Sequence, residues 1–175
     1  LERIGFINAY ELFGFWKDGI FEVRDATEIY DVINDGAKRY EGVIPHDMYR
    51  EPYMTMEELK EEMKRIRFYG YRRNLKLLGV MGKERVMDVT LIRHAYVLRD
   101  YQHKGIGTKL LTFIERGIDT EWVLIGTWKD ATWAIDFYRK NGYTLMADKD
   151  VLLRRYWSVP ERQREESCVL GKKIR

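Results

Sequence analysis

One cysteine, Cys168, and three histidines are all the thiol and imidazole side chains that 175 residues provide. A single thiol excludes an internal disulfide framework and any zinc site built from several cysteines. It fits a reducing compartment, for which the cytoplasm is the simplest address. Long apolar runs are also missing: nothing approaches the roughly 20 uncharged apolar residues of a membrane helix. The opening "LERIGFINAYELFGFWKDG" is rich in aromatics, but Glu2, Glu11 and Asp18 interrupt it and no small-residue cleavage site follows a basic flank, so it does not read as a signal peptide. Residues 1–19 are set apart as an N-terminal extension of unassigned role. Charge of one sign is scarcely in excess, with 31 Lys and Arg against 28 Asp and Glu. The surplus lies from Arg154 onward, leaving the body near neutral. A nucleic-acid reader gathers its basic residues on one element with aromatics between them, whereas these are interspersed with acids as on a solvated surface. Neither specific nucleic-acid binding nor a membrane is expected.

What is present suffices for one well-filled core: 45% of the residues are hydrophobic and 14% aromatic, in a length that needs no second domain. Residues 20–175 read as a single domain. "GIFEVRDAT" suggests a short strand running into a helix start, with Asp25 or Thr27 as the cap before "EIYDVINDGAKRY". In "TMEELKEEMKR", Thr55 and Glu58 stand at capping-box spacing and Met56, Leu59 and Met63 share a side, which predicts a second helix. Between them "EGVIPHDMYREPY", with Pro45 and Pro52, is a loop. From Ile66 to Val97 the β-branched and aromatic content predicts three successive strands joined by tight turns.

After "DYQHKGIG", Ile106, Leu110, Ile114 and Ile118 recur every four residues and predict an amphipathic helix. "EWVLIGTW" reads as a strand buried on both faces. Asp130 is placed to cap the helix "ATWAIDFYRKNG", with Gly142 as its left-handed stop. "GYTLMAD" and "VLLRRYWSV" are expected to close the sheet as strands, and "PERQREES" to form a loop at its edge. The order describes a mixed α/β domain around one sheet.

The loop after the third of those strands carries chemistry. Gly105 and Gly107 permit backbone conformations and approaches that a Cβ would block, and the helix that follows begins with amides lacking intrahelical partners. Such a helix start accepts an anion, a phosphate above all. The same glycines would also serve a tight turn and close helix packing.

Two segments together carry a resemblance. "YVLRDYQHKGIGTKLL" is similar to the CoA-binding motif of the GNAT superfamily of N-acetyltransferases, with Gln102, Gly105 and Gly107 in the places of its Gln/Arg-x-x-Gly-x-Gly/Ala core. "ATWAIDFYRKNGY" resembles that family's second cofactor motif at Ala134, Phe137, Tyr138, Gly142 and Tyr143. The resemblance implies a GNAT-like acyl-CoA N-acyltransferase fold, a mostly antiparallel central sheet flanked by helices. It implies acetyl-CoA as co-substrate and no metal. It further implies that the amides of His103, Lys104, Gly105, Ile106, Gly107 and Thr108 wrap the CoA pyrophosphate, with charge from Lys104 and His103. Main-chain groups of Val97, Leu98 and Arg99, on a strand that splays from its neighbour, would serve the pantetheine arm and polarise the thioester carbonyl. Tyr138 would protonate the leaving thiolate.

Two positions depart from the family. The strand glutamate that many members carry six residues before the place of Val97 is Leu91 here, which leaves Asp88 and His94 as substitute bases. The asparagine that often opens the second motif is Ala131, with Trp128 and Trp133 offering apolar surface instead. The implied reaction is acetyl transfer from acetyl-CoA to an amine, small-molecule or protein, by direct attack in a ternary complex. The acceptor side would be formed by the segment from Thr27 to Arg65, with Tyr40, His46, Asp47, Tyr49, Tyr53 and Tyr69 as polar aromatic walls. A non-catalytic acyl-CoA-binding or partner-binding domain of the same fold is the alternative, and a homodimer is compatible with either.

Overall fold

The computed structural model describes residues 18–174; the proposed extension, apart from its last two residues, lies outside them. The elements run β1 (Gly19–Val23), α1 (Ala26–Ala37), α2 (Met56–Glu62), β2 (Arg67–Arg73), β3 (Lys76–Val86), β4 (Val89–Val97), α3 (Ile106–Arg116), β5 (Trp122–Trp128), α4 (Thr132–Lys140), β6 (Thr144–Leu145), α5 (Lys149–Tyr156), α6 (Glu161–Glu165) and β7 (Ser167–Lys173). Asp25 caps α1 by accepting from the amides of Thr27 and Glu28, and the Thr55–Glu58 capping box opens α2. Both helix starts were legible because a short polar side chain meets amides that lack intrahelical acceptors.

The seven strands form one sheet in the order β1-β2-β3-β4-β5-β7-β6. Every neighbouring pair is antiparallel except β4 and β5. On one face α3 and α4 lie over Leu78, Met81, Ile92, Val123 and Ile125. The α3 stripe of Ile106, Leu110, Leu111 and Ile114 is almost wholly removed from water, each side chain contributing about 1.5–3 kcal/mol by the usual transfer scale. On the other face α1 and α2 cover Phe68, Leu77 and Val80, and α5 covers Leu91, Leu124 and Val169.

The C-terminal third departs from expectation. "VLLRRYWSV" is not a strand; most of it belongs to α5. In a strand Val151 and Leu153 would share a face, but Val151 is 64% exposed and Leu153 2%. Leu153 and Tyr156, three apart, are the pair that goes inward, as helical spacing requires. "PERQREES" holds the short α6 rather than a plain loop. The strand that finishes the sheet is instead "SCVLGKK", β7, which enters between β5 and β6 and pairs residue for residue with all of β5. "GYTLMAD" contributes only the two-residue β6. Asp130 does not cap α4: the N-cap is Ala131, without a side-chain cap, and Asp130 takes part through its carbonyl oxygen, which accepts from the Thr132 amide at 2.9 Å. Gly142, with φ of +88°, ends α4 as expected.

Candidate active site

The sheet opens at β4. Val89–Ile92 pair in parallel with Trp122–Ile125 of β5, and the pairing stops there. On the opposite edge the register with β3 slips, since Val80 faces Tyr96 and Gly82 faces Arg93. Two steps along β3 thus match three along β4, which makes a β-bulge at His94, whose φ of +50° is left-handed. A bulge bends its strand and increases the twist, and the remainder of β4 leaves β5. The bulge also inverts the alternation of side chains. Leu91 is buried against α5 while Val97 packs on the α3 side, although residues six apart share a face on a regular strand.

Main-chain groups along this edge are unequally committed. The Leu98 amide donates to the Leu78 carbonyl at 2.9 Å, which makes Gly79–Val97 a non-hydrogen-bonded pair and turns Val97's own N–H and C=O away from β3. The Arg99 amide donates to Asp35 Oδ2 at 2.8 Å and its Nε to Oδ1 at 3.3 Å. Of the three residues expected to serve the pantetheine arm, Val97 therefore lines the cleft, and Leu98 and Arg99 have their amides engaged elsewhere.

Beyond Arg99 the chain reaches the N-terminus of α3 through two left-handed residues, His103 at φ +61° and Gly105 at φ +80°. Gly105 is the N-cap, no side chain caps the helix and no acid stands in its first turn. The Lys109 amide donates to the Gly105 carbonyl at 3.1 Å, so the amides of Ile106, Gly107 and Thr108 have no intrahelical acceptor. These residues, with Gln102, His103, Gly105 and Val97, line a cleft of about 540 Å³. An uncapped helix start of this kind stabilises an anion through its amides and dipole, by about 0.3–1 kcal/mol from the dipole alone. Lys104 does not line the cleft; its amine sits 5.3 Å from the centre of the Tyr101 ring. Gln102 is a bracket: its Nε2 donates to the Val97 carbonyl at 3.1 Å and its Oε1 accepts from Arg39 Nη1 at 3.1 Å. The Arg39 guanidinium in turn lies 4.4 Å over the Trp133 ring.

The facing wall comes from α4 through Trp133, Ala134, Phe137 and Tyr138. Tyr138 is 5% exposed, in edge contact with Phe137 at 5.0 Å and Tyr143 at 5.7 Å between ring centres. Burial, helped by the neighbouring Tyr40, pushes its phenol well above the usual tyrosine value. It stays protonated throughout the working pH range. Trp133 supplies cleft surface, whereas Trp128 packs with Ile44 and Ala131 outside it and donates its indole N–H to Tyr53 Oη at 2.9 Å.

A second cavity of about 150 Å³ shares Tyr40 and Tyr96 with the cleft and extends between the splayed strands to His94, Thr127 and Trp157. Tyr40, Tyr53 and Tyr96 form its aromatic side, with ring centres 5.6, 6.2 and 6.3 Å apart. Burial raises all three phenols. His94 Nε2 is 2.9 Å from Glu62 Oε2, which also lies 3.2 Å from Arg93. Burial would raise Glu62, but the His94 hydrogen bond and the Arg93 charge outweigh it and bring the carboxyl down to about 2. Burial holds His94 below its usual value, against the pull of Glu62. A neutral imidazole beside an ionised carboxylate donates from Nε2, leaving the lone pair on Nδ1. Glu62 was not singled out in the sequence, where "TMEELKEEMKR" reads only as a capped helix with Met56, Leu59 and Met63 on one side.

The other expected residues lie elsewhere. Asp88 occupies the two-residue β3–β4 turn, accepts from Tyr156 Oη at 2.9 Å and stands at the far end of β4 from Val97, roughly 30 Å away by strand rise. It lines neither cavity. Tyr69 packs on Phe113 of α3, on the opposite face of the sheet from Tyr40 and Tyr53. His46 and Asp47 are exposed, with Asp47 3.6 Å from Arg162, and the Tyr49 hydroxyl donates to Glu51. Among the described residues no three His, Cys, Asp or Glu side chains gather as a metal site, and no helix is long and apolar enough to cross a membrane.

Known proteins resemble the chain in sequence and in fold. Residues 64–145 match the family model described as an acetyltransferase (GNAT) domain. The UPF0157 protein YqkA of Bacillus subtilis (strain 168) is 35% identical over 117 residues, which span 61% of this chain and 34% of that protein. The chain thus spans about a third of the length of this curated relative. The PaiA N-acetyltransferase of Thermoplasma acidophilum, solved in complex with coenzyme A, superposes with a TM-score of 0.70 over 90% of this chain and 99% of its own, at 18% identity. An acetyltransferase of the GNAT family from Staphylococcus aureus Mu50 does so with a TM-score of 0.70 over 91% and 100%, at 17% identity.

Proposed function

We propose that the chain, whose residues 64–145 match the acetyltransferase (GNAT) domain model, moves an acetyl group from acetyl-CoA to an amine by direct attack in a ternary complex. One observation carries the proposal: the uncapped start of α3, the outward main chain of Val97 and Tyr138 all open on one cleft. The loop amides from His103 to Thr108 bind the pyrophosphate. Gln102 and Arg39 hold the loop against β4, so the phosphate site and Val97 keep a fixed separation. Acetyl-CoA supplies the activated acetyl group.

The Val97 amide faces the thioester carbonyl as a fixed dipole, and a donor in such a place is worth about 2.7–4 kcal/mol of barrier where one has been removed. Tyr138, kept protonated by burial, gives a proton to the departing sulfur. An alkyl ammonium with a pKa near about 10.4 is almost wholly protonated at pH 7, so the acceptor needs a base. His94 Nδ1, at the bulge that lines the smaller cavity, takes that proton, with Glu62 holding the tautomer. Asp88 has no part in this arrangement.

The absence of a carboxylate at Leu91 favours one rival, a domain of the same fold that binds acyl-CoA without turning it over. Thiol release from acetyl-CoA with a panel of amines separates the two. Turnover above the no-amine background is expected; its absence with every acceptor, while CoA still binds, would leave the binding-only reading.

A further inference from the structure

The acceptor side has a charge pattern that selects among amines. The smaller cavity is lined mainly by tyrosines, tryptophans, aliphatic and uncharged polar side chains, and no Asp or Glu is among its lining residues. Its one charged lining residue is Arg93, held by Glu84 at 2.9 Å and Glu62 at 3.2 Å; beside it His94 is held below its usual value by burial. A second ammonium on the acceptor would find no carboxylate there. The cavity shares Trp157 and Val159 with an open groove of about 440 Å³, on whose rim stand Arg154 and Arg164.

These two cations are not equally occupied. Arg164 Nη1 donates to the Val159 carbonyl at 3.0 Å, and its Nη2 lies 3.9 Å from the exposed Glu161. Arg154 is exposed and makes no ion pair among the described residues. A guanidinium with five donors and no protein acceptor suits a carboxylate or phosphate. An amine placed in the cavity, with its nitrogen toward His94, would send its far end past Trp157 to this groove.

Building on the transferase reading above, we propose that the acceptor is an amine bearing an anionic oxyacid group at its far end, with Arg154 as the residue that recognises it. The class excludes polyamines and simple alkylamines as preferred acceptors. An exposed aromatic–arginine mouth followed by a cavity without carboxylates is what such an amphoteric substrate requires: the anion is met by charge at the solvent side, and the amine loses its proton inside.

The test uses the full chain and steady-state thiol release with ω-amino acids, aminoalkyl phosphates, alkylamines and alkyl diamines of matched lengths. The anionic acceptors should show kcat/KM about tenfold or more above the matched alkylamine, as a charge-assisted hydrogen bond to one guanidinium provides, with diamines poorest. In Arg154→Gln the ratio of anionic to alkylamine kcat/KM should fall about tenfold, a ratio that a general folding defect would leave alone. Carboxylate and phosphate arms distinguish the two oxyacids. Diamines preferred over anionic acceptors, or a ratio unmoved in Arg154→Gln, overturns the assignment while leaving the transferase reading standing. No turnover with any amine overturns both.

Discussion

The Cβ that position 107 lacks would stand 3.2 Å from the Cε2 and Cζ atoms of Phe137. A glycine in the loop and an aromatic on α4 are therefore two halves of one contact, which brings α4 close enough for Tyr138 to line the cleft. Gly105 has a different reason to be glycine: a Cβ there would meet nothing within 4 Å, but its φ is +80°. Backbone geometry governs one position and helix packing the other.

Gly107→Val should therefore weaken CoA binding by tenfold or more and lower turnover as well, because Phe137 must move and Tyr138 with it. Gly105→Val should weaken binding through strain in the loop, since a left-handed conformation costs an L-residue about 1–2 kcal/mol. Lys104→Ala should cost only a few-fold, its exposed amine being screened by solvent. Calorimetric titration of the three variants with CoA checks the order. If the lysine change is the most harmful, the loop acts as an electrostatic patch.

Acetyl-CoA should raise the melting temperature. A ligand bound only by the native state adds about 2.7 kcal/mol of stability at a hundredfold excess over its Kd. A thermal scan in millimolar acetyl-CoA reads this directly, and a flat response would count against the whole site.

Replacing Tyr138 by phenylalanine removes a hydroxyl and keeps the ring. Turnover should drop by about tenfold or more with little change in cofactor affinity, since general acid catalysis contributes about 10²–10⁴-fold and water replaces part of it. Unchanged turnover, measured where chemistry limits the rate, would reduce Tyr138 to a wall of the cleft.

Acidification should destabilise the protein in two windows of the same sign. His94 is held below its usual 6.5, so as pH falls through that value the unfolded chain gains a proton that the folded one resists. Glu62 is brought from 4.5 to about 2, so its contribution is complete above 4.5 and is lost as pH falls from there toward about 2. Urea midpoints followed from pH 7.5 to 3 should fall in both windows, and Glu62→Gln should flatten the lower one. A lower window of equal size in that variant would show that Glu62 does not carry it.

Local patterns determined much of this protein. Asp25 and the Thr55–Glu58 box were readable because a cap is a contact between residues two or three apart, and the α3 stripe because helical period alone aligns Ile106, Leu110 and Ile114. The uncapped helix start was readable in "QHKGIG" for the same reason: amides at a helix start and a left-handed glycine are properties of a few consecutive residues. Tertiary structure decided the rest. Whether "VLLRRY" or "SCVLGKK" becomes the closing strand depends on which one reaches β5, a choice between partners distant in sequence that no local propensity contains. The bulge at His94 arises from the mismatch of two strands, yet it splays β4, sends Leu91 and Val97 to opposite faces, and sets His94 beside a glutamate from α2. Asp88 precedes the first residue of β4 and so lies at the far end from Val97, because proximity in sequence along an extended chain is distance in space.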